Sequence, residues 1–226
     1  EGSGQLRKVY GATGSFVFPV GDATSTTEYS PVTVNVTGGS SFGASTYIGV
    51  NLADAKHPNN ASGTNFLTRY WNVTQSGISS CVATITGTYP AADISGTEGS
   101  IKAAQLNGAF IQATNPWVKT GGINLSSNTL TYTGASLTSG TASAFTGITS
   151  ADPTVSVSGG DVTVCQNGTV TLTANPTGDG TFTYSWSGSL GTGSTATPPT
   201  SSAGGPTSYT VTVKDANGIS STASTA

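Results

Sequence analysis

The pentapeptide Gly39-Ser40-Ser41-Phe42-Gly43 has the G-x-S-x-G spacing that can present a serine nucleophile. Asp54 and His57 follow it in the Ser, Asp, His order of one hydrolase class. That chemistry requires the serine on a sharp strand-to-helix turn of a large α/β sheet. Here the pentapeptide joins two segments that alternate like β-strands, and no helical pattern follows it. In a chain so rich in Gly and Ser, chance matches are expected. The reading is therefore no catalytic residue and no enzyme. His57 is the single histidine. A zinc or general-base role would need neighbouring partners that the sequence does not supply, so beside Pro58 and two Asn it reads as a loop residue.

The ten acidic residues are dispersed, and no Asp-x-Asp-x-Asp-Gly loop occurs. No metal ligand set and no cofactor are predicted. A calcium site of loop carboxylates and carbonyls stays open near Asp93 and Glu98, or near Asp152, because Ca²⁺ needs only convergent oxygens. A paired-carboxylate glycosidase site stays open by count alone, since nothing places two acids on one cleft. Among the three Trp, Trp71 alternates inward with Val73 and Trp186 lies in a strand pattern, so both are predicted core. Trp117 follows Pro116 outside any clear alternation, which makes it the candidate ligand-facing aromatic. Cys81 shares a dry face with Ala83 and Ile85 and reads as a buried thiol. A Cys81–Cys165 bridge is the alternative, one that would persist outside the cell. Asn-x-Ser/Thr occurs at Asn35, Asn60, Asn72, Asn124 and Asn167, mostly coincidence in a Thr-rich chain.

The elements that must position these residues are strands. The 226 residues are 35% hydrophobic and only 8% charged, with 31 Gly and 10 Pro. A usual globular chain is about a quarter charged. Ser and Thr fill the gap, and Thr and Val favour pleated, half-buried strands. A net charge of −3 with seven scattered Lys and Arg leaves nothing to neutralise a run of phosphates, so nucleic acid is excluded as a partner. No apolar run is long enough to cross a bilayer as a helix, so no membrane insertion is predicted. With zero Met and a Ser/Thr/Ala tract at its end, the chain reads as part of something longer.

Val32, Val34 and Val36 alternate with polar residues, and Gly38-Gly39 is predicted to turn the chain. Ile48, Val50 and Leu52, then Trp71 and Val73, then Cys81, Ala83 and Ile85 repeat the period of two. Residues 98–106 also fit a helix, but strand is preferred there. Segments around Trp117, Leu130-Tyr132 and Phe145 complete the first sheet pair. Small polar residues and Pro153 interrupt the pattern at 148–153, which places a domain boundary between 1–150 and 151–226. Beyond it, Val155 and Val157, Val162 and Val164, Val170 to Ala174, Phe182 to Trp186, and Tyr209 to Val213 alternate again. Asp215-Ala216-Asn217-Gly218 then reads as a tight turn. The fold class is all-β: two antiparallel β-sandwich domains in tandem, with about seven short strands in the second, as suits an immunoglobulin-like sandwich.

The runs Gly14-Ser15-Phe16-Val17-Phe18-Pro19-Val20-Gly21-Asp22 and Phe66-Leu67-Thr68-Arg69-Tyr70-Trp71-Asn72-Val73 carry a resemblance, with Tyr29-Ser30-Pro31-Val32, His57-Pro58-Asn59-Asn60 and Ala92-Asp93-Ile94-Ser95-Gly96-Thr97-Glu98. Residues 5–150 resemble an extracellular β-sandwich of proteins that gliding Bacteroidota export by the type IX secretion route. The second segment, through Val164-Cys165-Gln166-Asn167-Gly168, Tyr184-Ser185-Trp186 and the run from Tyr209 to Gly218, resembles the immunoglobulin-like or polycystic-kidney-disease-type repeats of adhesins from the same bacteria. In those repeats a second Cys commonly follows the Asn-Gly turn. Ile219 stands there in this chain, so Cys165 lacks the partner the resemblance implies.

The resemblance implies a structural and adhesive module pair of a large secreted cell-surface protein or filament, acting as spacer and contact surface. Its partners would be other copies or modules of the same protein, through strand addition by residues 5–10 or the C-terminal tract, and surface polysaccharide. The alternative is a carbohydrate-binding accessory region of a secreted polysaccharide-degrading enzyme.

Overall fold

The computed structural model describes residues 4–24, 26–160, 162–201 and 207–225. The chain is all-β, and it divides into two compact units, Glu1–Ser150 and Ala151–Ala226.

In chain order the first unit contains β1 (Leu6–Val9), β2 (Gly14–Phe18), β3 (Gly21–Asp22), β4 (Glu28–Tyr29), β5 (Val32–Ser40), β6 (Tyr47–Ala53), β7 (Phe66–Leu67) and β8 (Tyr70–Ser76). It continues with β9 (Ser79–Thr88), β10 (Ile94–Ser95), β11 (Ile101–Asn107), β12 (Val118–Lys119), β13 (Gly122–Asn124), β14 (Thr129–Leu137) and β15 (Ala142–Thr149). One sheet runs β1-β6-β8-β15-β11-β12, the other β13-β14-β9-β5-β2, and every strand pairing within them is antiparallel. The period-two alternation turns one face of each sheet inward. Val32, Val34, Val36, Cys81, Ala83 and Ile85 meet Ile48, Val50, Trp71, Val73 and Phe145 in a single core. Trp71 fills its centre, and its indole N–H donates to the Ser30 carbonyl at 3.0 Å. Its ring lies where Gly87 has no side chain: a Cβ there would come within 2.7 Å of the indole. Strand β9 therefore needs glycine at that point.

Alternation fails in β11 and β15, where successive residues are buried. The physical reason is a second apolar cluster on the outer face of the six-stranded sheet, made by Ala104, Leu106, Ala144, Ile148 and Trp117. Residues 54–65 help to cover that face: Asn60 donates to the Gly147 carbonyl, and the Ser62 hydroxyl accepts the Thr149 N–H.

The predicted turn at Gly38-Gly39 does not form. Strand β5 runs on to Ser40 through register shifts against β9, and the reversal comes after it. Residues 98–106 are a single 3-10 turn, Glu98–Ser100, followed by strand β11, so strand prevails over helix.

The second unit packs β16 (Thr154–Ser158), β17 (Leu172–Thr177), β18 (Thr183–Trp186), β19 (Thr195–Ala196), β20 (Thr210–Lys214) and β21 (Ser220–Ser224). These form two three-stranded sheets, β16-β17-β19 and β18-β20-β21, so the described residues hold six strands where about seven were expected. Trp186 is the predicted core filler: it is buried among Leu172, Ala174, Val211 and Val213, and its Nε1–H donates to the Gly193 carbonyl at 2.9 Å. The expected strand at Val162 and Val164 is absent, and both side chains are exposed. Instead, residues 165–168 make a turn closed by Gly168 N–H on the Cys165 carbonyl, which takes the segment out of sheet register. The turn between β20 and β21 forms at the expected place. Only Gly218 takes positive φ, while Asn217 stays in the ordinary region and is buried. The Asp215 carboxylate accepts the N–H groups of Asn217 and Ile219, which closes the loop as a type I turn with a glycine bulge.

Candidate functional site

The polar centre of the first unit is Arg69. It follows β7 and precedes β8, and odd-numbered positions from Leu67 to Gln75 all point into the core. Parity therefore carries the guanidinium inward, where a cation is tolerated only with anionic partners. Three segments deliver them. The β3–β4 hairpin pairs Asp22 directly with Glu28, so both carboxylates approach from one side. The β6–β8 ladder pairs Ala53 with Tyr70, which brings Asp54 beside Arg69. A 3-10 turn, Ala91–Asp93, ends on Asp93 just before β10, which pairs with β7.

Arg69 Nη1 donates to Asp22 at 2.6 Å, Nη2 donates to Glu28 and to Asp54 at 3.2 Å, and Nε donates to Asp93. The Arg69 and Asp22 side chains are fully buried, Asp93 nearly so, and Glu28 and Asp54 are about four-fifths covered. Further bonds fix the acids: Thr24 N–H donates to Asp22, and the Thr68 hydroxyl to the Asp93 carbonyl. The Arg69 carbonyl accepts the Thr146 hydroxyl at 2.7 Å.

Four carboxylates thus face one guanidinium. Burial would lower the Arg69 pKa, but the hydrogen bonds and charges of Asp93 and Asp22 outweigh it and hold the group firmly protonated. Asp93 is pushed above its ordinary value, first by burial, against the pull of the Arg69 hydrogen bond and charge, with Asp54 and Asp22 adding to the rise. Oxygens of Asp22, Glu28 and Asp54 lie within 4.8 Å of one another, a spacing a cation can bridge, but the guanidinium already binds all three. The centre therefore works as an internal ion cluster that ties a hairpin, a strand end and a turn to one strand. With its N–H groups engaged by these acids, the guanidinium has little left to offer an incoming anion.

The fold gives the residues singled out in the sequence new neighbours: His57 meets Trp117, and Asp54 and Asp93 meet at Arg69. Ser41 accepts a hydrogen bond from Ser79, Asp54 binds Arg69, and His57 stacks edge-on between Tyr70 and Trp117, at 4.7 and 5.0 Å between ring centres. His57 Nδ1 accepts the Asn59 N–H, and burial lowers the imidazole pKa. It is thus a loop residue, as expected, and a half-buried one. Trp117 is not an exposed aromatic. It is 1% exposed, because it closes the outer cluster over β11 and β15, and its indole N–H donates to the Asn59 carbonyl at 2.8 Å. Asp93 and Glu98 do not converge: Asp93 goes to Arg69, and Glu98 accepts the Tyr89 hydroxyl at 2.7 Å. Asp152 lies exposed at the start of the second unit.

No known protein family, no curated protein and no solved structure matches this chain.

Cys81 is buried and its thiol pushed up to about 11 by burial, while Cys165 is exposed; both are free thiols, so the bridge does not form. The Arg69 centre is the feature that sequence reading did not assemble. Its signal was present: an Arg in phase with Leu67, Trp71 and Val73 must be buried, and burial demands carboxylates. Which carboxylates was hidden, because they lie 15 to 47 positions away along the chain.

Proposed function

We propose that this chain is a non-catalytic structural and adhesive pair of sandwich modules from a large secreted surface protein, serving as spacer and contact surface. The observation that carries the reading is the Arg69 centre. This cluster of five ionisable side chains is spent on itself, cross-linking four segments from within. A module built to hold its shape gains from such a cluster; a module built to turn over substrate would keep reactive groups open to it. The hydrolase constellation of Ser41, Asp54 and His57 has each member bound elsewhere. The resemblance to exported sandwich modules of gliding Bacteroidota and to their immunoglobulin-like repeats supports an extracellular, cell-surface location and a repeat-bearing or filamentous parent.

The alternative, a carbohydrate-binding accessory region, is weaker. Sugar stacking wants exposed aromatic faces, and Trp71, Trp117 and Trp186 are all buried. Residues 5–10 and the C-terminal tract, the segments expected to add to a neighbour's sheet, are already sheet members: β1 pairs β6, and β21 pairs β20.

Immunogold electron microscopy of producing cells with an antibody against this chain tests the reading. Labelled fibres or a labelled surface coat are expected. Label confined to the cell interior, or turnover of ester or glycoside substrates by the purified chain, defeats it.

A further inference from the structure

Four strand edges bound the two main sheets of the first unit: β1 and β12 in one, β13 and β2 in the other. Open edges invite pairing with another chain, and proteins blunt them with charge, shortness, bulges or proline. Strand β1 carries Arg7 and Lys8 side by side. Strand β12 is two residues long and bears Lys119, and β13 is three residues long. Among its own five residues strand β2 carries none of these devices, and the nearest charge is Lys8 of β1, whose ammonium lies 5.7 Å from the centre of the Phe16 ring. The strand is Gly14–Phe18, five residues without charge or proline, with Phe16 and Phe18 turned toward the core and Val17 standing 50% exposed. Its ladder to β5 uses one edge only. Besides that ladder, its backbone makes one further backbone hydrogen bond among the described residues, Phe18 C=O accepting the Val20 N–H.

We infer that the open edge of β2 is a self-association surface, on which β2 of a second copy pairs antiparallel to join two five-stranded sheets into one. A second copy is the fitting occupant because the edge is compatible with itself. Antiparallel self-pairing of Gly-Ser-Phe-Val-Phe sets no like charges opposite one another, sets β-favouring Phe and Val across the junction, and closes with two-fold symmetry. The same pairing at β1 would bring Arg7 and Lys8 against their own copies. Five residues of ladder bury less than a standard interface, so the contact is weak for isolated chains and effective where many copies are held together. The inference rests on the structural reading above, for self-pairing would have no place in a solitary accessory module.

The test is sedimentation velocity of the whole chain over a wide concentration range, with amide hydrogen exchange at each concentration. Wild type is expected to associate reversibly, with protection of residues 14–18 rising with concentration. Val17→Lys, at an exposed position, is expected to raise the dimer Kd by about tenfold or more while leaving the circular dichroism spectrum unchanged. Val118→Lys places the same charge on the exposed residue of another edge and is expected to leave association intact. A wild type that stays monomeric throughout, or association equally insensitive to Val17→Lys, overturns the inference. The surface labelling described above decides the structural role separately, so failure of one is not failure of the other.

Discussion

Arg69 donates to Asp22 at 2.6 Å with both side chains fully withdrawn from water, and three further carboxylates share the same guanidinium. A buried ion cluster need not add net stability over an apolar replacement of both partners, since desolvation opposes the attraction. Removing one partner is different, because the opposite charges stay behind uncompensated.

Arg69→Gln should therefore destabilise the first unit by about 3–5 kcal/mol, read as a shift in urea unfolding followed by Trp71 emission. Arg69→Lys should recover little of this, because an ammonium cannot reproduce a planar fork reaching four acids. A variant within about 0.5 kcal/mol of wild type would contradict the role assigned to the cluster.

The surplus of acid gives the cluster a pH signature. Asp93 is raised, and a carboxyl with a raised folded pKa stabilises fully below its unfolded value and loses that contribution as pH rises through the folded one. Relative to wild type, Asp93→Asn should thus flatten the decline of unfolding free energy that begins above the ordinary Asp value of 3.8. Parallel pH profiles for the two proteins would refute this.

Trp71 and Gly87 make a contact with no spare room, a Cβ at Gly87 falling 2.7 Å from the indole. Gly87→Ala should cost about 1–3 kcal/mol and shift the near-ultraviolet circular dichroism, since the ring must move or β9 must bow. An unperturbed aromatic spectrum would show that the core yields more easily than its packing implies.

The two thiols should separate by accessibility. Under native conditions near neutral pH, a thiol-specific disulfide reagent is expected to titrate Cys165 alone, and Cys81 only after unfolding. Cys81 is raised to about 11 and Tyr10 to about 12, both first by burial, with the charge of Cys81 adding to the rise at Tyr10. Their neutral forms stabilise the fold below the ordinary values of 9.0 and 10.0, and that contribution is lost as pH rises through the raised ones. Alkaline unfolding that shifts upward in Cys81→Ala would agree; two fast-reacting thiols in the native chain would not.

The β-class and most strands were legible because a strand with one dry face writes itself as period two. Val32, Val34 and Val36 are buried one by one as that period requires. The same logic misled at Val162 and Val164, where alternation exists but no neighbouring strand takes up the hydrogen bonds. Trp117 was misplaced for a related reason. It lies outside a strand, so its burial depends on residues 54–65 folding back over the sheet, a contact separated by 58 positions.

The amino-acid sequence by itself determined what is local: strand, turn, inward or outward face, and so the all-β class and the burial of Trp71, Trp186 and Cys81. Tertiary structure alone decided what depends on distant segments meeting. Only there do Asp22, Glu28, Asp54 and Asp93 converge on Arg69, is Trp117 covered, and does β2 become an edge of its sheet. The physical reason is range. Side-chain periodicity reports the environment one strand at a time, whereas charge compensation and sheet edges are properties of which strands become neighbours.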